Sequence, residues 1–206
     1  MSSIIQMKWS RLRLRGLSEQ GSALRKSKLE AAVTREAIVA AAADLIRRTG
    51  IVEASLADMM AAAGLTHGGF YRHFRNKEQL VSEALSAAGD KTIATIGRRI
   101  AKGGLNAAVD GYLSKSHRDS PTPICPFAAL GSEIARSGKE TKVAATELLE
   151  KVFVTLAGDA PDREEARSAA ILVLSTMIGA MTLARIVADP DLSSEILNRA
   201  KEHLHR

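Results

Sequence analysis

The chain has 206 residues, of which 46% are hydrophobic but only 3% aromatic. That is enough to bury one ordinary core or two small ones built from alanine and branched aliphatics, so an all-α fold is expected. The formal net charge is +6 and unevenly spread: seventeen Lys/Arg stand against nine Asp/Glu through Gly103, twelve against fourteen afterwards. This is the footprint of a polyanion-binding half joined to a neutral or acidic one. A single cysteine, Cys125, excludes an internal disulfide and any cysteine-based zinc cluster, and fits a reducing compartment.

Residues 1 to about 31 lack sustained periodicity. They carry Lys8, Arg11, Arg13, Arg15, Arg25, Lys26 and Lys28 against Glu19 and Glu30, and read as a flexible basic arm. Such an arm either follows a nucleic-acid backbone or minor groove, or is a tail without a role. Basic residues follow Ile4 and Ile5 at once, where a secretory leader needs an apolar core, so a cytoplasmic protein is expected. Thr34 is placed to cap a first helix, Arg35 to Thr49, with Ile38, Ala41, Ala42, Leu45 and Ile46 inward and Gly50 at its end. Arg35 at its start could also touch a phosphate.

The next stretch, Ser55 to Phe74, spells helix, tight turn, helix. Ser55 and Asp58 have capping-box spacing, and Leu56, Met59, Met60 and Ala63 share one face. Gly64 stands where a helix ends by turning left-handed, Leu65 can pack back over the turn, and the Thr66 hydroxyl can cap a second helix from His67. Gly68 and Gly69 in its first turn each cost roughly 1 kcal/mol relative to alanine, so something other than helix stability favours them. A helix whose N-terminal turn lies against base edges in a major groove gains from having no side chain there. Phe70 and Phe74 anchor the inner side, while Tyr71, Arg72, His73, Arg75 and Lys77 supply donors that phosphate oxygens accept.

Asn76, with Gln79 three residues on, opens a long connector helix expected to run to about Lys102, where Gly103 and Gly104 end it. Helical patterns follow over about Leu105 to His117, Phe127 to Arg136, Glu140 to Leu156, Arg163 to Val187 and Leu192 to His205. The segment between Asp119 and Pro126 holds three prolines and is read as irregular. Ala169 to Leu183 is nearly all apolar, yet the run is shorter than the about 20 residues a bilayer needs, so it is read as a buried helix and no membrane partner is expected. Ser175, Gly179, Ala180 and Ala184 would let another helix approach closely. With the helix from Leu192, they are read as the interface of a homodimer.

The run Gly64-Leu-Thr-His-Gly-Gly-Phe-Tyr-Arg-His-Phe-Arg-Asn-Lys77 resembles the DNA-binding signature of TetR-type (TetR/AcrR) transcriptional repressors over about Thr34 to Leu85. The resemblance implies an N-terminal three-helix helix-turn-helix domain, here residues 32–82 after the arm of 1–31. It also implies a helical effector-binding and dimerisation domain, here 83–206, and release from double-stranded operator DNA when a small-molecule effector binds. It places base contacts at His67, Gly68 and Gly69, phosphate contacts at Ser55, Thr66, Tyr71, Arg72, His73 and Lys77, and the dimer interface in the last two helices. Many relatives carry a long polar residue in that first turn, where this chain has His67 and two glycines. The stretch Ile124 to Arg136 is also similar to a branch that includes the LmrA and YxaF repressors. Family geometry would set an effector cavity near Tyr112, Cys125, Phe127, Leu130, Met177 and Met181, for which ordinary core packing is the competing reading. An apolar cavity there suits a lipophilic or lightly polar effector, and a solid domain would count against it.

No Ser/His/Asp order, phosphate-cradling glycine loop or metal-ligand cluster is apparent, so neither enzyme activity, cofactor nor metal is expected. Cys125, with His117 as a possible base, is either a thiol sensor or a packed core residue. A nonspecific architectural DNA binder stays open as the alternative function, and a helical scaffold that binds no DNA as a third.

Overall fold

The computed structural model describes residues 28–123 and 125–205. They form two compact units, one up to Ile38 and one over Val39–Arg206, and no strand occurs among the described residues. In the first unit, helical residues begin by 28 and belong to helix α1, 28–49. Thr34 therefore does not cap a helix. Its hydroxyl donates to the Glu30 carbonyl at 2.8 Å, one turn back, because Glu30, Ala31 and Ala32 are good helix formers that carry the helix past the expected start. Arg35 accordingly lies within the helix rather than at its end, and the expected arm is helical over 28–31. The rest of that arm lies outside the described residues.

In the second unit, the end of α1 buries Ala42, Ala43 and Ile46 and stops at Gly50, whose φ of +93° suits glycine. Helix α2, Leu56–Ala62, is capped by Ser55: the hydroxyl accepts from the Asp58 amide while the Asp58 carboxylate accepts from the Ser55 amide. Gly64, at φ +72°, closes it. The Leu65 amide donates to the Met60 carbonyl at 3.0 Å and the Gly64 amide to that of Ala61 at 2.9 Å, the paired bonds of a Schellman ending.

The connector, α3, spans Lys77–Tyr112 and is capped by the Asn76 side chain, which accepts from the Gln79 amide. Gly103 and Gly104 break its helical geometry, Gly104 at φ +71° and ψ −169°, so the expected stop is a kink and the second segment ends at Tyr112, short of His117. Beyond come α4, Lys115–Arg118, α5, Pro126–Arg136, α6, Lys139–Ala157, α7, Arg163–Ile186, and α8, Pro190–Leu204. α3 packs most extensively on α6, and α7 on α8 and α6. Leu148 of α6 comes so close to the α3 backbone at Gly89 that a Cβ there would collide with it.

Within the single chain, α7 is not buried all round. By length and composition it could cross a membrane, with mean hydropathy 1.8 in its most apolar window, of which 39% is buried. Val173, Leu174, Met177 and Met181 enter the core shared with α3, α6 and α8, whereas Leu172, Leu183 and Ile186 are exposed.

Candidate nucleic-acid interface and the domain behind it

The reading element is a 3-10 helix, His67–Arg72, rather than an α-helix. Its amide bonds close one residue early, Gly69 to the Thr66 carbonyl at 3.1 Å and His73 to that of Phe70 at 2.9 Å. Thr66 is exposed and occupies the cap position in extended geometry, but its side chain makes no cap bond, so the expected capping role is not met. Phe70 is fully buried and stacks on Phe74, ring centroids 5.5 Å apart. At about 1.5–3 kcal/mol per buried side chain, this pair fixes which face is presented. That face consists of His67, Gly68, Tyr71 and Arg72, all exposed, with Gly69 and His73 half-buried. Tyr71 is 71% exposed and stands edge-on to Phe70 at 5.2 Å.

The two glycines have no internal reason to be glycine. Neither has a positive φ. A Cβ at Gly68 would meet nothing within 4 Å, and one at Gly69 only the Met60 Cε at 3.9 Å, an ordinary contact.

Two expected phosphate ligands have work inside the fold. The Ser55 hydroxyl, besides capping α2, donates to Asp58 Oδ2 at 2.5 Å. Lys77 Nζ donates to the Ile51 carbonyl at 3.0 Å and is half-buried there, pinning the loop before α2. Arg35, the remaining expected contact, lies in the other unit.

Residues that the sequence did not single out tie this head to α5 and α6. Glu133 of α5 accepts the Val52 amide at 2.8 Å and lies where a Cβ on Gly50 would sit, 2.7 Å from its Oε1. Glu78, in the first turn of α3, accepts the Glu140 amide at the start of α6 at 3.1 Å. Arg47 of α1 donates to the Pro123 carbonyl at 3.1 Å, two residues before Cys125. Lone charged residues on amphipathic helices carry no sequence signal that distinguishes such grips from solvated charges.

Behind the head, Tyr112, Cys125 and Phe127 meet at one small void, with Ile96, Val152 and Leu174 among its walls. Leu130, Met177 and Met181 are buried but do not line it. The void measures about 10 Å³, room for one water at most. Among the described residues, this void is therefore no ready-made effector cavity. Burial pushes the Cys125 thiol up, against smaller opposite pulls from Tyr112 and the Ala128 and Phe127 amides. It also pulls His117 down. A buried, protonated thiol is a packed core group rather than a reactive one.

The expected dimer residues divide. Ala180 and Ala184 are buried in the chain's own core. Ser175, Gly179 and Leu192 are exposed. Together with Leu172, Leu183 and Ile186, the exposed α7 positions recur at steps of three and four along one stripe.

The family described as "Bacterial regulatory proteins, tetR family" matches residues 38–84. An uncharacterised HTH-type transcriptional regulator of Mycobacterium tuberculosis is 30% identical over 171 residues, covering 75% of this chain and 86% of its own. The HTH-type transcriptional regulator TtgR of Pseudomonas putida is 39% identical over 64 residues, 31% of this chain and 30% of that one. A solved TetR transcriptional regulator from Chloroflexus aurantiacus superposes with a TM-score of 0.67 at 27% identity, covering 85% of this chain and 93% of that one. An N-terminal helix-turn-helix, an all-helical C-terminal domain and relatives matched along most of their length place this chain in the TetR family of bacterial HTH-type transcriptional regulators.

Proposed function

We propose that the protein is a homodimeric repressor that leaves a palindromic operator when a small effector binds. Residues 32–82 form its DNA-binding domain and 83–206 its effector and dimer domain. His67, Gly68 and Gly69 enter the major groove, Ser55, Thr66, Tyr71, Arg72, His73 and Lys77 hold phosphates, and Arg35 adds a phosphate contact. The observation that carries the reading is the pair of glycines on the reading face, Gly68 with open space where its side chain would be and Gly69 with only an ordinary contact to Met60 there. Glycine there costs the fold and spares nothing inside it, so an external surface that approaches the backbone is the better explanation.

One head contacts too few base pairs to be selective, and two heads on a twofold axis read half-sites about one helical turn or more apart, on the order of 34 Å. The α7 stripe of Leu172, Ser175, Gly179, Leu183 and Ile186, with Leu192 of α8, is the surface that would hold the partner. Its exposed leucines and isoleucine are otherwise apolar area left in water. The chain works in the cytoplasm, where its DNA is.

Effector binding near Tyr112, Cys125 and Phe127 has to open the void, since drug-sized ligands occupy roughly 300 Å³ or more. The grips of Arg47 on Pro123 and Glu133 on Val52 then carry a shift of the 119–127 segment and α5 to the head. The coupling is bounded by the effector's differential affinity for the two states, typically about 1–3 kcal/mol. Duplex selection from a random pool tests the whole reading: recovery of a palindrome supports it, and equal binding to all sequences favours the architectural alternative.

A further inference from the structure

The turn between α5 and α6 lies against the reading head. The Glu78 carboxylate, in the first turn of α3, accepts the Glu140 amide at 3.1 Å, and a Cβ on Gly138 would collide with that carboxylate. The turn is thus held at an approach that only glycine permits. The Glu140 side chain accepts from Arg75 Nη2 at 3.4 Å, and Arg75 stands just past His73 of the reading face. From this corner α6 runs beside α3 in the same direction: Glu140 meets Glu78, Leu148 meets Gly89, and Lys151 pairs with Asp90.

The charges of the corner are sorted by sign. Glu78, Glu133 and Glu140 are each engaged with the fold, on the Glu140 amide, the Val52 amide and Arg75. Arg136, Lys139 and Lys142 are exposed, and among the described residues none of them has an ion-pair partner. The chain after Gly103 carries twelve Lys/Arg against fourteen Asp/Glu, yet residues 134–146 carry three against one. Arg136 has a reason within the fold, since it sits in the last turn of α5, where a cation suits the carbonyl end of the helix. The two lysines have none. Lys139 opens α6 and Lys142 follows one turn on, so both stand toward the positive end of that helix, against its dipole and close enough to repel each other. As with Gly68 and Gly69, the fold would be better off without them, and an anion outside it accounts for them.

We infer that Lys139 and Lys142 hold phosphates flanking each half-site, a second contact with the DNA backbone that is supplied by the domain behind the head and carries no sequence information. This rests on reading the head as DNA-binding, and it lengthens the stretch of duplex that each subunit covers.

The test measures affinity against salt for the full-length protein and for Lys139→Gln/Lys142→Gln, on a selected duplex and on random DNA of equal length. Two phosphates per head are four per dimer, at about 0.9 each in the slope of log affinity against log salt. The slope should become shallower by roughly 3 to 4, and affinity at physiological salt should fall about ten-fold or more on both duplexes alike. The melting temperature should not fall. Lys102→Gln/Arg163→Gln removes the same charge far from the head, since Lys77 to Lys102 is about 37 Å of helix and Arg163 follows the far end of α6. It should leave the slope as it is. A slope that changes by less than 2, an equal change in the distant variant, a loss confined to the selected duplex, or a lowered melting temperature each overturns the inference. The two failures are separable. A parent that prefers a palindrome while the slope ignores the lysines leaves the repressor reading standing without this contact. A parent that prefers no duplex while the slope still responds leaves the contact standing and removes the repressor reading, and a parent that binds no DNA removes both.

Discussion

Replacing Gly68 with alanine should make this protein more stable and worse at its task. The new methyl has open space around it, and at Gly69 it would only touch Met60 Cε at 3.9 Å, so neither change collides with the fold. Both residues have negative φ, and alanine in such a backbone stabilises by about 0.4–1 kcal/mol through loss of unfolded-state freedom. For a chain of this size, that raises the melting temperature by about 1–4 °C. Against DNA the same methyl occupies the space through which the backbone approaches the bases. A poor fit at one base pair costs about 1–3 kcal/mol, and a symmetric dimer incurs it in both half-sites, so affinity for the selected duplex should fall by roughly ten-fold or more. Thermal unfolding and fluorescence anisotropy on one preparation measure both effects. Operator affinity unchanged in both Gly68→Ala and Gly69→Ala would refute the argument that DNA, not the fold, demands these glycines. So would a melting temperature lowered by either.

Four further outcomes are expected. Lys77→Met should lower the melting temperature by several degrees, because the charged bond to Ile51 is of the kind worth about 1.5–3 kcal/mol. It should also weaken binding to all duplexes alike, and a loss of DNA affinity with stability intact would assign Lys77 to phosphate alone. Glu133→Ala should speed hydrogen exchange at the Val52 amide, read by NMR, since its acceptor is gone. Leu183→Glu should give monomers in sedimentation velocity by placing charge in the α7 stripe, whereas dimers that persist would move the interface elsewhere. His117 is pulled below its ordinary 6.5: the unfolded chain takes up a proton that the folded one resists, so this stability is complete above 6.5 and is lost as pH falls toward the lowered value. Denaturant titrations at pH 7 and 5.5 should show a smaller acid loss in His117→Asn than in the parent.

The fold was legible wherever one residue type decides a local conformation. Ser55 with Asp58, Gly50, Gly64 and Asn76 act within three or four residues, and the boundaries they predicted are those observed. Thr34 and Thr66 misled because a hydroxyl fits a cap and a helix interior alike. At Thr34 the good helix formers before it decided the matter, and at Thr66 the 3-10 turn left the hydroxyl without an amide to accept from. The exposed reading face was legible from Phe70 and Phe74, since burying them dictates where His67, Tyr71 and Arg72 point. What the sequence could not yield was pairing across long separations. Nothing near Glu133 announces Val52, nothing near Arg47 announces Pro123, and Ala180 and Ala184 differ from Ser175 and Gly179 only in which side of α7 they occupy. Arg185 read as a charge closing an apolar run, and its place beside His117 emerges only in the packed structure.

The claim on which the rest depends is that paired glycine-tipped heads read DNA sequence rather than merely its charge. Competition between the duplex recovered by selection and random DNA of equal length, at physiological salt, tests it most directly. The account predicts a palindromic site bound about 10³-fold or more tightly than random sequence, with the preference lost at the half-site centres in Gly68→Ala. Equal affinity for both duplexes, falling in parallel as salt rises, would contradict it.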